Sequence, residues 1–477
     1  MAELIRPELC IVGAGALGIA LAQYARRLGA QVTLVDRGHP EPGDGPQRAM
    51  RVAALMASAA RAASIRNAGR FGLNGAEPKV TMKLVQERAV RLAAERAVLD
   101  SGERLTALGI TVLPGPAQFV DAATLAVGDV QVRPQAFILA VGGEPIIPAV
   151  PGLDAVDYFT ADSILENARK LTHLLVIGSD AEGLALAQAF ARLGSEVTLV
   201  PQGDVLAGFD IEASSILIEA LQEDGVRLLD GGVVDAIQAR SQGIGATVAL
   251  PQGDRQSLDV SHVLICAGAQ VNAGALALDA GRVRPVRGQA GRFALGSLGQ
   301  SSNRRVRFVG AGAGIEQWQH ALSHGRAVVE SVVLGAPGHR PSAQPRLVQT
   351  APALAQIGRW PADVKRLAKG HAIVRAGAAE NDKARALGIE QGLTKLLVNP
   401  KGQVIAASLA GPDAGELAGV LALAMDRGIP LQALADLSLP HPSLLATLCL
   451  LGENHKGAQT VSSWQKLLGA VRRRLTI

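Results

Sequence analysis

Hydrophobic and polar positions along this chain follow two rhythms. Apolar runs of four residues, Leu9–Val12, Val32–Val35, Leu174–Ile177 and Val197–Val200, read as buried parallel strands. Within each pair an Ala/Leu-rich stretch of helical period intervenes, which predicts two strand–helix–strand units. Longer Ala/Arg/Leu stretches, Arg48–Ile65 and Val80–Gly102, predict two further helices. Short strands follow at 111–113, 118–120, 124–127 and 136–141, and Pro145, Pro148 and Pro151 mark a boundary. Beyond the second unit come a helix at Ile211–Asp224, a strand at Val263–Ala267, the run Phe308–Gly312 and a helix through Trp318–Leu334. A Pro/Ser/Gln-rich linker at 337–345 leads to strands Thr394–Val398 and Val404–Ala410, a helix Gly415–Arg427 and the segment Leu439-Pro440-His441-Pro442.

The expected fold is α/β, with two Rossmann-type dinucleotide-binding domains and a C-terminal α+β domain. Residues 1–150 with the return segment 269–340 form the first, 151–268 the second and 346–460 the third, followed by a basic tail, 461–477. The length of 477 residues agrees with about three domains.

The turns inside the two units differ. The first, Gly13-Ala14-Gly15-Ala16-Leu17-Gly18, is a complete GxGxxG. The second, Gly178-Ser179-Asp180-Ala181-Glu182-Gly183, carries Asp at its middle position. In this context the first glycine permits the turn, the second admits a pyrophosphate and the third packs helix on strand. Asp36, 23 positions after Gly13, stands where an acid accepts hydrogen bonds from a ribose; the plainer alternative is a surface turn acid. The second unit ends in Pro201-Gln202 with no such acid. A carboxylate at Asp180 about 4 Å from a pyrophosphate costs about 4 kcal/mol at an effective dielectric of about 20, about a thousandfold in affinity. The first turn is expected to bind its nucleotide and the second to be weak or dead.

Composition narrows the class. A hydrophobic content of 48% with 19% charged residues is globular. The formal charge of +5 comes with no basic stripe interleaved with aromatics, so nucleic acid is not an expected partner. The run Arg472-Arg473-Arg474 reads as a solvated helix end. The three cysteines, Cys10, Cys266 and Cys449, lie in apolar runs without disulfide or metal spacing, and no metal cluster is expected. No secretory signal and no membrane-length apolar stretch is visible, so a cytoplasmic protein is expected.

The order of parts resembles the flavoprotein disulfide reductases, which include lipoamide dehydrogenase, glutathione reductase and mercuric reductase. The resemblance spans nearly the whole chain. It is carried by Gly115-Pro116-Ala117-Gln118-Phe119-Val120, by Ala140-Val141-Gly142 and by the helix Leu186–Ser195. Its most specific part is C-terminal: Thr350-Ala351-Pro352, Gly392-Leu393-Thr394-Lys395-Leu396, Gly411–Leu417 and His441-Pro442-Ser443. It implies FAD at Gly13, Gly15, Gly18, Asp36, Ala117, Gly142, Gly310 and Ala311, and NAD(P)H at the second turn. It also implies a C-terminal dimerisation domain whose His-Pro pair, here His441-Pro442, reaches the partner's flavin.

Against the family's pattern, the chain departs where the chemistry should be. His39 and Asp44 align with the redox cysteines, which excludes dithiol–disulfide exchange there; as residues they read as a loop histidine and a turn acid. The family's Lys–Glu pair beside the flavin becomes Arg48 and Ala185, leaving Glu182 as a conceivable partner for Arg48. Its nicotinamide gate becomes Ala181. The Glu that orients the C-terminal His becomes Ala446, and the Asp that holds the flavin ribitol becomes Ala311. His441 keeps either an acid–base role or one in interface packing. Two readings follow. One is a homodimeric FAD oxidoreductase with Arg48 and His441 beside a non-thiol substrate and a degenerate NAD(P) turn at Gly178, Asp180 and Gly183. The other is an inactive dimeric scaffold or binding subunit with a protein partner in a redox assembly.

Overall fold

The computed structural model describes residues 3–37, 46–97, 100–287, 289–315, 317–336, 343–361, 367 and 369–458. His39, Asp44, the linker centre 337–342 and the tail 461–477 lie outside them. The chain divides into two compact units, Met1–Leu206 with Leu221–Pro341, and Ala207–Ala220 with Ser342–Ile477.

In the first unit, a parallel sheet runs in the order Val306–Phe308, Ala136–Leu139, Leu9–Val12, Val32–Asp36, Thr111–Pro114. Strand pleating divides its core. Leu9 and Ile11 face helix Ala16–Arg27 through Leu21, Ala22 and Ala25, while Cys10 and Val12 pack with Phe119, Phe137 and Phe308 on the other side. Burial pushes the Cys10 thiol up, as suits an inert apolar packing residue. The chain leaves Leu9–Val12 for one neighbour and returns on the other, so a crevice opens at the strand's carboxyl end, the usual ligand position in such sheets.

A second parallel sheet repeats the plan in the order Phe159–Thr160, His262–Ile265, His173–Ile177, Glu196–Val200, Val226–Leu228. A three-stranded antiparallel sheet, Val233–Ala239, Ile244–Ala249 and Arg255–Val260, accompanies it. The helix expected at Val80–Gly102 differs: it is Met82–Ala97, and a separate helix, Gly102–Ala107, begins at Ser101. The Ser101 hydroxyl accepts from the Arg104 amide at 3.3 Å, a side-chain cap that starts a new helix.

The second unit is built on an antiparallel sheet, Arg346–Val348, Ala353–Ile357, Val404–Gly411, Leu393–Val398, Ala372–Gly377. One face buries Ile357, Leu396 and Ala407 against helix Ala414–Asp426. Directly paired residues share a face, and one row across all five strands is polar: Arg346, Gln356, Ser408, Lys395, Arg375. That row grips the segment 208–212. Gln356 donates to the Gly208 carbonyl at 2.7 Å and accepts from the Asp210 amide at 2.7 Å. The Arg346 guanidinium lies 4.3 Å from the centre of the Phe209 ring. Lys395 Nζ lies 2.8 Å from Asp210 and 3.1 Å from Glu212, and Arg375 also reaches Glu212. Lys395 and Asp210 are both buried, so each needs the other's charge.

Lys395→Met should therefore destabilise the second unit by about 3–5 kcal/mol, because Asp210 is left as an uncompensated buried charge. The combined Lys395→Met, Asp210→Asn variant should recover much of the loss. Hydrogen exchange of amides 211–220 checks this; unchanged protection in the single variant contradicts it.

Candidate functional site

At the first turn, steric limits are severe. A Cβ on Gly13, which sits at φ +109°, would lie 2.3 Å from the Ala140 carbonyl oxygen, and one on Gly18 would lie 1.8 Å from the Gly13 oxygen. Gly15 is the opposite case, with open space at its Cβ position. It is the N-cap of helix Ala16–Arg27, and no side chain caps that helix start. Among the described residues no side chain meets its first-turn amides, at the positive end of its dipole. Asp36 closes the second strand, half-buried, and its backbone carbonyl accepts from the Gly115 amide at 2.7 Å. Ala117 is buried in the strand Ala117–Asp121.

The return segment comes to the same place. Gly310, at φ +60°, has its Cβ position 2.7 Å from Leu17, and Ala311 lies 3.5 Å from the Cβ position of Gly143. Gly142 adopts φ +69° with open space beside it. The structure thus gathers Gly13, Gly15, Gly18, Gly142, Gly310 and Ala311 around one helix start. A small-residue cradle, open amides and a strand-end acid fit the adenosine and pyrophosphate of FAD. At the ribitol position Ala311 offers no side-chain hydrogen bond.

The second turn has the same backbone and the opposite occupancy. Gly178, at φ +103°, has its Cβ position 2.0 Å from the Cys266 carbonyl oxygen, and Gly183 packs on the Cys266 side chain. Asp180 is the N-cap of helix Ala181–Arg192: its carboxylate accepts from the Gly183 amide at 2.7 Å and from the Gly268 amide at 3.2 Å. One amide of the helix's own first turn and one from the distant Gly268 hold the carboxylate over the helix start. The Asp180-x-x-Gly183 spacing, read as an N-cap, would have revealed half of this; the Gly268 contact carries no local signal. Burial raises the Asp180 pKa, opposed by its amide hydrogen bonds and by Arg48.

Arg48 stands beside this turn on helix Pro46–Arg66. It donates to Glu182 at 2.6 Å and to Asp162, so Glu182 takes the partner position that Ala185 vacates. Burial works against the guanidinium's charge, but Glu182 and Asp162 together hold it firmly protonated. Glu182 itself is raised by burial, which outweighs Arg48. One turn along, Arg51 bonds Glu166. Asp162, Glu166 and Gly268 were missed in the sequence, for none belongs to a motif.

His441 belongs to the second unit, where its ring is 78% exposed and its Nε2 lies 3.8 Å from Asp382. The loss of an acid at Ala446 is therefore partly offset from another helix, Asp382–Ala386, although at this exposure the pair contributes little. Asn381 caps that helix through the amides of Lys383 and Ala384, and donates to the Ser443 carbonyl at 3.0 Å and to Thr447 at 3.0 Å. This buried amide fixes the segment that follows His441.

Cys10 and Cys266 are buried, Cys449 is half-buried, and all three are free thiols. No group of acids, His and Cys with metal-binding geometry occurs among the described residues, and no helix there is long and apolar enough to cross a membrane.

The chain is similar over most of its length to known proteins. It is 27% identical over 460 residues to a mercuric reductase of Streptomyces lividans, across 94% of this chain and 95% of that protein. It is 25% identical over 461 residues to a dihydrolipoyl dehydrogenase of Geobacillus stearothermophilus, across 92% and 94%. Its fold is that of LpdA from Mycobacterium tuberculosis, with a TM-score of 0.82 at 22% identity over 94% of this chain and 99% of that one. The HOCl-induced flavoprotein disulfide reductase RclA from Escherichia coli is also similar, with a TM-score of 0.80 at 20% identity over 94% and 99%. Residues 7–325 match the description pyridine nucleotide-disulphide oxidoreductase, and residues 344–448 match the dimerisation domain of the same name. The chain belongs to the pyridine nucleotide-disulphide oxidoreductase family, whose members are FAD-dependent oxidoreductases.

Proposed function

We propose that this chain is a homodimeric FAD-binding oxidoreductase that serves a non-thiol acceptor or substrate and does not take hydride from NAD(P)H at its second turn. The observation that carries this reading is the Asp180 carboxylate seated on the Gly183 and Gly268 amides. A dinucleotide pyrophosphate needs those donors, and the carboxylate both fills their position and repels the phosphates. The cysteine inventory supports the other half: with only Cys10, Cys266 and Cys449 in the chain, no Cys-x4-Cys relay can be written.

FAD, when bound, supplies the two-electron chemistry. The chain's own part is to hold it. Gly15 leaves room for the pyrophosphate at the uncapped helix start, Asp36 accepts from the ribose, and Ala117, Gly142, Gly310 and Ala311 line the remainder without a charged contact. Arg48, held by Asp162 and Glu182, is a fixed cation beside the substrate space, already neutralised and so poorly suited to recruiting an anionic substrate. The C-terminal unit supplies the dimer and presents His441.

The purified protein should show a flavin absorption band, and Asp36→Ala should weaken FAD by about 10- to 150-fold, the loss of one charge-assisted hydrogen bond of about 1.5–3 kcal/mol. A colourless protein favours the scaffold reading. Lipoamide, glutathione and mercuric ion should not be reduced with NADH or NADPH; steady turnover of any of them contradicts the proposal.

Asp180→Gly should create measurable NAD(H) binding in calorimetry at matched ionic strength and cost only about 0.3 kcal/mol of stability through the lost cap, since glycine is itself tolerated at an N-cap. Asp180→Asn, which keeps a capping side chain in place, should bind far less. Low-micromolar NAD(H) binding by the unaltered protein contradicts the closed turn.

A further inference from the structure

Away from both turns, the segment 272–310 carries seven arginines and a single acid, Asp279. Arg282, Arg284, Arg287, Arg304 and Arg305 are all exposed. These five form no ion pair among the described residues. Eight arginines elsewhere sit in ion pairs, Arg48, Arg51, Arg66, Arg91, Arg192, Arg240, Arg255 and Arg375, while others, such as Arg104, Arg169 and Arg227, do not. What sets 282–305 apart is that its unpaired arginines lie together on two joined turns. The Arg305 guanidinium donates to the Pro134 and Gln135 carbonyls. Asp121, on the adjoining turn, is turned onto its own Ala123 amide at 2.6 Å.

The face is built rather than loose. Ser302 Oγ accepts from the Arg284 amide at 2.8 Å and donates to the Arg282 carbonyl at 3.0 Å. Asn303 Nδ2 donates to the carbonyls of Gly281 at 2.7 Å and Ala122 at 2.8 Å, and Asn303 Oδ1 accepts from the Arg305 amide. Two arginine-bearing turns are thus tied side by side. Arg282 itself adopts φ +54°, a left-handed conformation that favours glycine, so a side chain is kept here against its backbone preference.

From this we infer that the Arg282–Arg305 face is a docking surface for an acidic protein partner, recognised through bidentate guanidinium–carboxylate contacts. Its chemistry separates this partner from other polyanions. Phe293 stacks on Phe308 at 4.8 Å and leaves no exposed ring to receive a base. Among the described residues between 272 and 308 no large apolar side chain is exposed, so there is none to insert into a lipid surface. No α-helix lies there among the described residues to enter a groove. Guanidinium groups spaced on rigid turns fit carboxylates on a protein face. The inference does not depend on the flavin reading.

The probe is a fluorescent ten-residue poly-glutamate peptide, followed by anisotropy with the full-length protein at about 50 mM salt. The variant Arg282→Gln, Arg284→Gln, Arg304→Gln, Arg305→Gln should weaken binding at least tenfold. A control with the same charge change elsewhere, Arg91→Gln, Arg104→Gln, Arg169→Gln, Arg227→Gln, should change it less than threefold. Raising salt to about 0.5 M should abolish the difference, since screening then acts within about 4–5 Å. Arg282→Gly should weaken binding without lowering the thermal midpoint, which separates lost contact from lost fold. Equal weakening in both quadruple variants overturns the proposal, as does tighter, face-dependent binding of a 20-base-pair DNA duplex or of phosphatidylserine vesicles.

Discussion

The positive end of a helix has to be answered by something. Both dinucleotide turns present the same problem, because the first amides of a helix that follows a tight glycine turn have no partner within the helix. At Gly15 the chain leaves them open and keeps the space above them clear. At Asp180 it answers them with its own carboxylate. The backbones match closely, with the first glycine of each turn pressed against a carbonyl of the neighbouring strand's end. One side chain accounts for the difference: Asp180 caps its helix start, and no side chain caps the helix that follows Gly15.

Around the capped turn, charge is arranged to be self-sufficient. Arg48 meets Glu182 and Asp162, Arg51 meets Glu166, and Asp180 takes amides instead of a cation. Breaking one member would strand a partly buried charge, which is more costly than the net contribution of the intact pair. The cluster thus ties helix Pro46–Arg66 to the turn. The second unit uses the same device in a drier setting, where Lys395 and Asp210 pin the segment 208–212 to a polar row of the sheet.

Much was readable in the chain itself. Strand runs, the two glycine turns, Asp36 at a strand end and the helices of the first and last units follow from periodicities of two and 3.6 and from steric demands within a few residues. The thiol inventory and the Asp at the middle of the second turn are facts of composition. The stretch Val80–Gly102 instead holds the helix Met82–Ala97 and the start of a second at the Ser101 cap, because a local capping hydrogen bond competes with the continuing Leu/Ala pattern.

What the sequence by itself determined is therefore local: which segments turn, which coil, where the two glycine turns fall and which of them carries an acid at its middle position. Tertiary structure alone decided the partners. Arg48 finds Asp162 and Glu182 across 114 and 134 positions, Asp180 reaches Gly268 across 88, and Lys395 reaches Asp210 across 185. An ion pair depends on the side chains' final positions, and no short-range period encodes which of several acids will arrive. Arg282, Arg284, Arg287, Arg304 and Arg305 have the same origin: the chain shows their number, and only packing shows that no carboxylate among the described residues comes to meet these five.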